Sequence, residues 1–503
     1  MRTLRIAAAV GTALLVGVGP AVSPAAAGPP GGPATGAPLA WHTCVTGPDD
    51  ESGAALEAAG ARCAELAVPL DYSRPYGRTI SVALSRIPAA DPAHRRGVLL
   101  PNPGGPGDPA LDLVVELAEV APDLAARYDL VGMDPRFVGR STPLKCQWDT
   151  GHSMRGAGPN RQTFAATAAR ARDLAAGCVR GNEGLLAHAS TRNTARDMDR
   201  VRAALGEPKV SYLGWSGGSY LGAVYTQLFP GRVDRFVLDS AVDPDAYGPG
   251  VTRAMGAATE AALRNWAGWA AGRDATYHLG ATRDAVLGTV ARVDRAATAR
   301  PLRVGEFTVD SQLLPLLLFL PIRFDTDEDY AGIAADVRVL ADAADGRTVT
   351  PSPGLLRNLT LVTAPGTGDG TFLLCADRAA SRDPETYYRD IQAHRATEPL
   401  FGPLTRNITP CAYWPTAPTE APTRIRNTVP ALIVGASGDP RTPYPGQLAM
   451  HRALAGSRMV TLDDAYRHLV FGAEGNACVE GAVNRYLLDG VLPTADLTCA
   501  RTR

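Results

Sequence analysis

Val210-Ser211-Tyr212-Leu213-Gly214-Trp215-Ser216-Gly217-Gly218-Ser219-Tyr220 decides how the chain is read. Residues 210–213 form an apolar run of strand type, and a helical pattern occupies 220–228. Between them lies Gly-x-Ser-x-Gly, a turn that raises a serine at the end of a parallel strand. A side chain at the flanking glycines would collide with neighbouring backbone in so tight a turn. The same geometry points the Gly217 N–H at an oxyanion forming beside Ser216.

Outward from this turn, short strand-type runs alternate with helical stretches. Residues 64–70 and 80–87, separated by Asp71-Tyr72-Ser73-Arg74-Pro75, are expected to form an opening hairpin. Further strands are predicted at 97–100, 128–133, 235–238, 431–434 and 458–462, and helices at 191–206 and 220–228. Alternation of this kind predicts an α/β fold, a mostly parallel sheet covered by helices on both faces. Residues 243–428 are too many for one crossover and carry their own helical runs at 257–271, 331–344 and 384–394. They are expected to be a mainly helical cap inserted between two parts of the sheet domain, 39–242 and 429–503.

The serine needs a base, and the base an orienting acid. In this architecture the chain order is serine, acid, histidine. Asp439 follows the strand at 431–434 through Gly435-Ala436-Ser437-Gly438, and His468 follows the strand at 458–462. Asp239 and Asp243 are the rival acids, but Asp439 is preferred. Of the eight histidines, only His468 lies both beyond a strand and after the acid. A second oxyanion donor is expected from Asn102-Pro103-Gly104-Gly105-Pro106-Gly107, which follows the strand at 97–100; the spacing leaves open whether it is Gly104 or Gly105.

Composition bounds the rest. The chain has 503 residues and a formal net charge of -1, which removes the basic footprint of a general nucleic-acid binder. Arg2 and Arg5, an apolar run at 6–18 and Ala25-Ala26-Ala27 read as a signal peptide, residues 1–27, cleaved after Ala27. The run is too short for a membrane anchor. Residues 28–38, rich in Gly, Pro and Ala, are expected to be disordered. In an exported chain, eight cysteines suggest disulfides. They are expected as sequence-local pairs: Cys44 with Cys63, Cys146 with Cys178, Cys375 with Cys411, and Cys478 with Cys499. No metal-ligand spacing is present in the sequence.

These residues, with Val68-Pro69-Leu70-Asp71-Tyr72, Asp134-Pro135-Arg136-Phe137-Val138-Gly139-Arg140-Ser141, Ala195-Arg196-Asp197-Met198-Asp199 and Asn476-Ala477-Cys478, make the chain recognisable. It resembles secreted serine peptidases of the α/β-hydrolase fold in the prolyl-aminopeptidase clan, particularly the tripeptidyl aminopeptidase-like group of actinomycetes. The resemblance implies Ser216, Asp439 and His468 as the triad and the insertion as a cap over the site. It implies a monomeric enzyme that needs no metal or organic cofactor and acts on peptides with a free N-terminus. Two positions depart from the pattern. Arg467 and Leu469 flank His468 where a Gly-His-Gly-like setting is usual, and Gly217 stands where relatives often carry a larger residue. Arg467 is expected to point outward.

A free substrate amine calls for carboxylates in the cap. Asp377, beside Cys375, is the first candidate and Glu385 the second; Asp325, Asp327, Glu328 and Asp329 read instead as a solvated helix start. Two other readings share the same residues. One is a secreted carboxylesterase or lipase; the other is a non-catalytic binding member of the fold.

Overall fold

The computed structural model describes residues 39–501 apart from Asp369 and Glu474. The expected signal peptide with its cleavage site at Ala27, and the stretch 28–38, lie outside the described residues.

The hairpin forms as expected: β1 (Arg62–Pro69) and β2 (Thr79–Ile87) pair antiparallel. There follow β3 (Val98–Asn102), β4 (Asp129–Met133), β5 (Val210–Trp215) and β6 (Val233–Asp239). A small hairpin, β7 (Leu302–Val304) and β8 (Phe307–Val309), precedes β9 (Ala431–Ala436), β10 (Arg458–Asp463) and β11 (Leu497–Ala500). Among the described residues, nine strands share one sheet in the order β1-β2-β4-β3-β5-β6-β9-β10-β11. Only β2 runs against the rest; from β4 to β11 every neighbouring pair is parallel. This is the α/β-hydrolase fold.

Strands β3, β4, β5 and β9 are buried along their whole length, which is why they read as continuous apolar runs. Alternate residues feed opposite layers. Leu100, Tyr212, Phe236 and Ile433 pack on one face against Met198 and Val201 of the helix Thr191–Ala204 and Val224 of the helix Gly217–Leu228. Leu99, Leu213, Val237 and Leu432 pack on the other against Leu117, Leu124, Val479 and Val483. Between β6 and β9 the chain builds a third apolar cluster of its own, including Trp266, Val286, Leu316, Ile333, Leu340, Leu359 and Phe401. Its helices Met255–Ala271, Asp327–Ala344 and Pro384–His394 fall where the periodicity places them. The β7–β8 hairpin and β11 were not expected; each is three or four residues long, too short to show alternation.

Three of the quoted sequence motifs meet in one buried cluster. Arg136, fully buried, donates to both carboxylate oxygens of Asp197 at 2.7 Å and to the carbonyls of Pro69, Leu70 and His188. Tyr72 Oη donates to Asp197 Oδ1 at 2.7 Å.

The eight cysteines come together in the four expected pairs, with S–S distances of 1.90–2.05 Å. Cys44 is bonded to Cys63, at the start of β1, and Cys146 to Cys178, near the end of the helix Arg161–Val179. Within the insertion Cys375 is bonded to Cys411, and near the end of the chain Cys478 is bonded to Cys499 of β11. Among the described residues no helix is long and apolar enough to cross a membrane.

Sheet register sets up the site. Asn102 of β3 pairs with Gly214, Trp215 with Asp239, and Asp239 with Val434. The carboxyl ends of four adjacent parallel strands therefore finish at one level, and the loops leaving them converge there.

Candidate active site

Ser216 leaves β5 with φ 54° and ψ −123°, a left-handed backbone unusual for a residue with a side chain. The helix begins directly at Gly217, three residues earlier than the apolar pattern suggested, because the turn itself is its first coil. Two neighbours hold the strained serine. Its N–H donates to the Asp239 carbonyl at 3.0 Å, and its carbonyl accepts from Ser219 N at 2.9 Å.

The loop after β3 lies against this turn. A Cβ on Gly104 would collide with Trp215 O and stand 2.8 Å from Gly217 N, so only glycine lets the two backbones touch. The Gly104 N–H is engaged, donating to Asn102 Oδ1 at 3.1 Å. A small cleft opens beside the turn, lined by Asn102, Gly104, Gly217, Leu221, Tyr247 and Leu373 among others.

His468 and Asp439 meet, both buried. His468 Nδ1 lies 3.1 Å from Asp439 Oδ1 and 3.0 Å from Oδ2. The carboxylate is fixed from the other side. Its Oδ1 accepts from the N–H groups of Arg441 at 2.7 Å and Thr442 at 2.9 Å, and its Oδ2 accepts from Thr442 Oγ1 at 2.7 Å. A carboxylate on Nδ1 selects the tautomer with hydrogen there, leaving Nε2 as a base.

Asp239, a rival acid in the sequence, has a different task. Its fully buried carboxylate accepts from Val470 N at 3.1 Å, Phe471 N at 2.7 Å and Ser240 Oγ at 2.9 Å. Ser240 Oγ in turn accepts from Leu469 N at 2.8 Å. Because the Asp239 carbonyl also receives Ser216 N–H, one residue ties the serine turn to the histidine loop. Burial, with Asp439 nearby, pushes the Asp239 carboxyl up to about 7. Asp243, the other rival, caps a local turn through Asp245 N at 2.9 Å.

The insertion grips the histidine loop from above. Arg323 O accepts from His468 N at 2.7 Å, and Asp325 Oδ2 accepts from Tyr466 N at 2.7 Å. Arg501 Nη1 lies 2.9 Å from Asp325 Oδ2. Asp325 is thus a buried anchor and not part of a solvated helix start, which begins only at Asp327 with Thr326 as cap. No sequence signal marks these contacts, since they join residues more than 140 positions apart.

Three expectations are corrected. Arg467 does not point outward: its side chain is 2% exposed, donates from Nε to Leu469 O at 3.2 Å and has Nη1 3.8 Å from Asp325. Its neighbour Leu469 adopts φ 68°, which explains why a glycine is the usual occupant beside such a histidine. Asp377 does not present itself to substrate. Its Oδ1 accepts from Thr191 N at 2.8 Å and its Oδ2 from Thr191 Oγ1 at 2.5 Å, capping the helix Thr191–Ala204. The cleft it borders is lined by Ser190, Arg192 and Glu420, not by the serine turn. Glu385 is an exposed partner of Arg161 on the surface.

Comparison with known proteins agrees with this geometry. Residues 97–318 match the family described as alpha/beta hydrolase fold, and residues 398–499 the family described as TAP-like protein. The chain is 35% identical over 462 residues to tripeptidyl aminopeptidase of Streptomyces lividans, covering 87% of this chain and 83% of that protein. It is 30% identical over 495 residues to serine protease Hip1 of Mycobacterium tuberculosis, covering 93% and 92%. It is also 32% identical over 511 residues to carboxylesterase B of the same organism, covering 95% and 93%.

Proposed function

Because the chain belongs to the tripeptidyl aminopeptidase-like serine peptidases of the α/β-hydrolase fold, we propose that it is a secreted aminopeptidase working through an acyl-enzyme on Ser216. In this reading Ser216 Oγ attacks the scissile carbonyl and His468 Nε2 takes its proton. The C–N bond then breaks as His468 returns that proton to the leaving amine. Water repeats the sequence on the ester. Asp439 holds the imidazole and balances its charge, and the amides of Gly217 and Gly105 receive the oxyanion.

The observation that carries the reading is the paired contact of His468 Nδ1 with Asp439 at 3.0 and 3.1 Å, tied through Asp239 to the strained serine. Similarity to a protein named tripeptidyl aminopeptidase supports release of short peptides from a free N-terminus. Four disulfides and the leader expected at 1–27 support export. We propose the insertion, residues 243–428, as the cap that selects substrate. Similarity to carboxylesterase B supports esterase activity as the second reading.

One assay separates them. The mature protein and Ser216→Ala are compared on a free-amine tripeptide anilide, its N-acetylated form and a short-chain nitrophenyl ester. Release from the free-amine anilide, lost in Ser216→Ala, is the expected result. Ester turnover with both anilides untouched favours the esterase.

A further inference from the structure

Gly435 interrupts β9, a strand otherwise apolar and buried along its whole length. A glycine inside a strand forgoes side-chain packing and marks a place where another group comes close to the backbone. Here that group is the side chain of Gln447, on the helix Tyr444–Ala453: a Cβ on Gly435 would stand 1.7 Å from Gln447 Oε1.

Gln447 is fully buried, and its amide can face only one way. Nε2 donates to Thr442 O at 2.7 Å and to Asp439 Oδ2 at 3.3 Å, whereas Oε1 accepts from no group among the described residues. Turned over, the amide would set its oxygen against a carbonyl and a carboxylate, so its donors must face them. A buried carbonyl oxygen without a donor is costly, and packing alone therefore does not account for a glutamine at this position.

What the amide reaches is the mount of Asp439. Oδ2 of Asp439 also accepts from Thr442 Oγ1 at 2.7 Å and lies 3.0 Å from His468 Nδ1, while Oδ1 accepts from Thr442 N at 2.9 Å. Gln447 thus acts on the carboxylate twice, through its own N–H and by holding the carbonyl of the residue that supplies two of the other donors.

We propose that Gln447, admitted by Gly435, is a positioning residue of the Ser216 centre, whose amide holds the Asp439 carboxylate where Oδ2 meets His468 Nδ1. The proposal rests on the triad of Ser216, His468 and Asp439, and not on whether the substrate is a peptide or an ester.

Two substitutions reach the amide and leave the triad residues in place. Gln447→Met keeps the length and removes both donors; Gly435→Ala keeps the glutamine and displaces it. Each should lower kcat about tenfold, the worth of one hydrogen bond to a charged group, with KM within about twofold of wild type. The substrate is whichever of the tripeptide anilide and the nitrophenyl ester the protein turns over. Because both changes act through one amide, the double variant should also lose about tenfold, and not the roughly hundredfold of independent effects. The His468 Nδ1 proton gives a readout without turnover. Hydrogen-bonded to Asp439, it resonates far downfield in the proton spectrum, is assigned by its loss in His468→Gln, and should move in both single variants. Urea denaturation shows which variants fold, and either single variant carries the test if the other does not. A glutamine with a structural role only would lower the urea midpoint and leave kcat and the resonance unchanged. That result, a loss confined to KM, or a roughly hundredfold loss in the double variant overturns the proposal. Asp439→Asn tests the triad separately. If it keeps its kcat, the triad reading fails and the proposal with it; if it loses kcat while Gln447→Met and Gly435→Ala match wild type, the triad stands and only the role of Gln447 falls.

Discussion

Gly218→Ala probes how tightly the proposed oxyanion loop is registered on the serine turn. A Cβ at 218 would stand 2.6 Å from Asn102 Oδ1 and 2.8 Å from Asn102 O. Ordinary contact begins at 3.4 Å, so Asn102 must retreat by roughly 0.6 to 0.8 Å. Asn102 Oδ1 holds the Gly104 N–H at 3.1 Å, so the retreat carries the Gly104 and Gly105 amides with it. A displacement approaching 1 Å costs about 100-fold in catalysis, and loss of one oxyanion donor costs about as much. Turnover number should therefore fall about 100-fold with little change in KM. Stability should change much less. Alanine gains about 1 kcal/mol over glycine within a helix, and overpacking costs about 1–3 kcal/mol.

Gly222→Ala on the same helix is the control. Its Cβ would meet Tyr212 Cε1 at 2.6 Å and Leu238 Cδ2 at 2.7 Å, both side-chain atoms on the sheet and neither of them part of the loop after β3. It should incur a similar stability cost and keep its turnover number. The assay is kcat and KM on a tripeptide anilide alongside urea denaturation with disulfides intact. Wild-type kcat in Gly218→Ala, or equal losses of kcat in the two variants, would refute the reasoning.

Three further outcomes are expected. Asp439→Asn keeps its volume but favours the wrong imidazole tautomer, so kcat should fall about 10⁴-fold with little loss of stability; retention of a tenth of the activity would mean that another acid serves. Arg136→Met leaves the Asp197 carboxylate buried without its partner and should lower the unfolding free energy by about 3–5 kcal/mol; a urea midpoint matching wild type would show that the cluster is dispensable. Burial pushes the Asp377 carboxyl up to about 7. Folding therefore favours its protonated form, so its contribution is fully present below the unfolded value of 3.8 and is lost as pH rises through about 7. Asp377→Asn, neutral throughout, should flatten the dependence of the urea midpoint on pH between about 4 and 7, and an unchanged slope would contradict this.

The legible parts of the molecule are those governed by local chemistry. The serine turn, Gly104-Gly105 and the strands β3, β5, β9 and β10 each announce themselves through glycine placement or continuous apolar runs. Chain order then picks Asp439 and His468, which do meet. What stayed hidden depends on distant partners. Asp377 looked available because Cys375 beside it could tether its loop, yet Thr191 occupies it, 186 residues away. Arg467 looked outward because charged residues usually are, yet Asp325 draws it in from 142 positions upstream. Asp239 was visible at a strand end, but its identity alone could not separate an orienting acid from a scaffold one. That distinction needs the backbone N–H groups of Val470 and Phe471, which carry no side-chain signature.

The grip of Arg323 and Asp325 on the loop carrying His468 bears on how such enzymes diversify. A region that only screened substrates could be exchanged between relatives, or trimmed, while the chemistry beneath continued. Here the inserted segment supplies a carbonyl and a carboxylate that hold the loop of His468, the proposed general base. Grafting a foreign insertion onto this sheet should therefore cost rate as well as selectivity unless residues 323–325 travel with the host. If the insertion selects substrate as proposed, substrate range and turnover are mechanically linked, and drift in one has to be accommodated by the other.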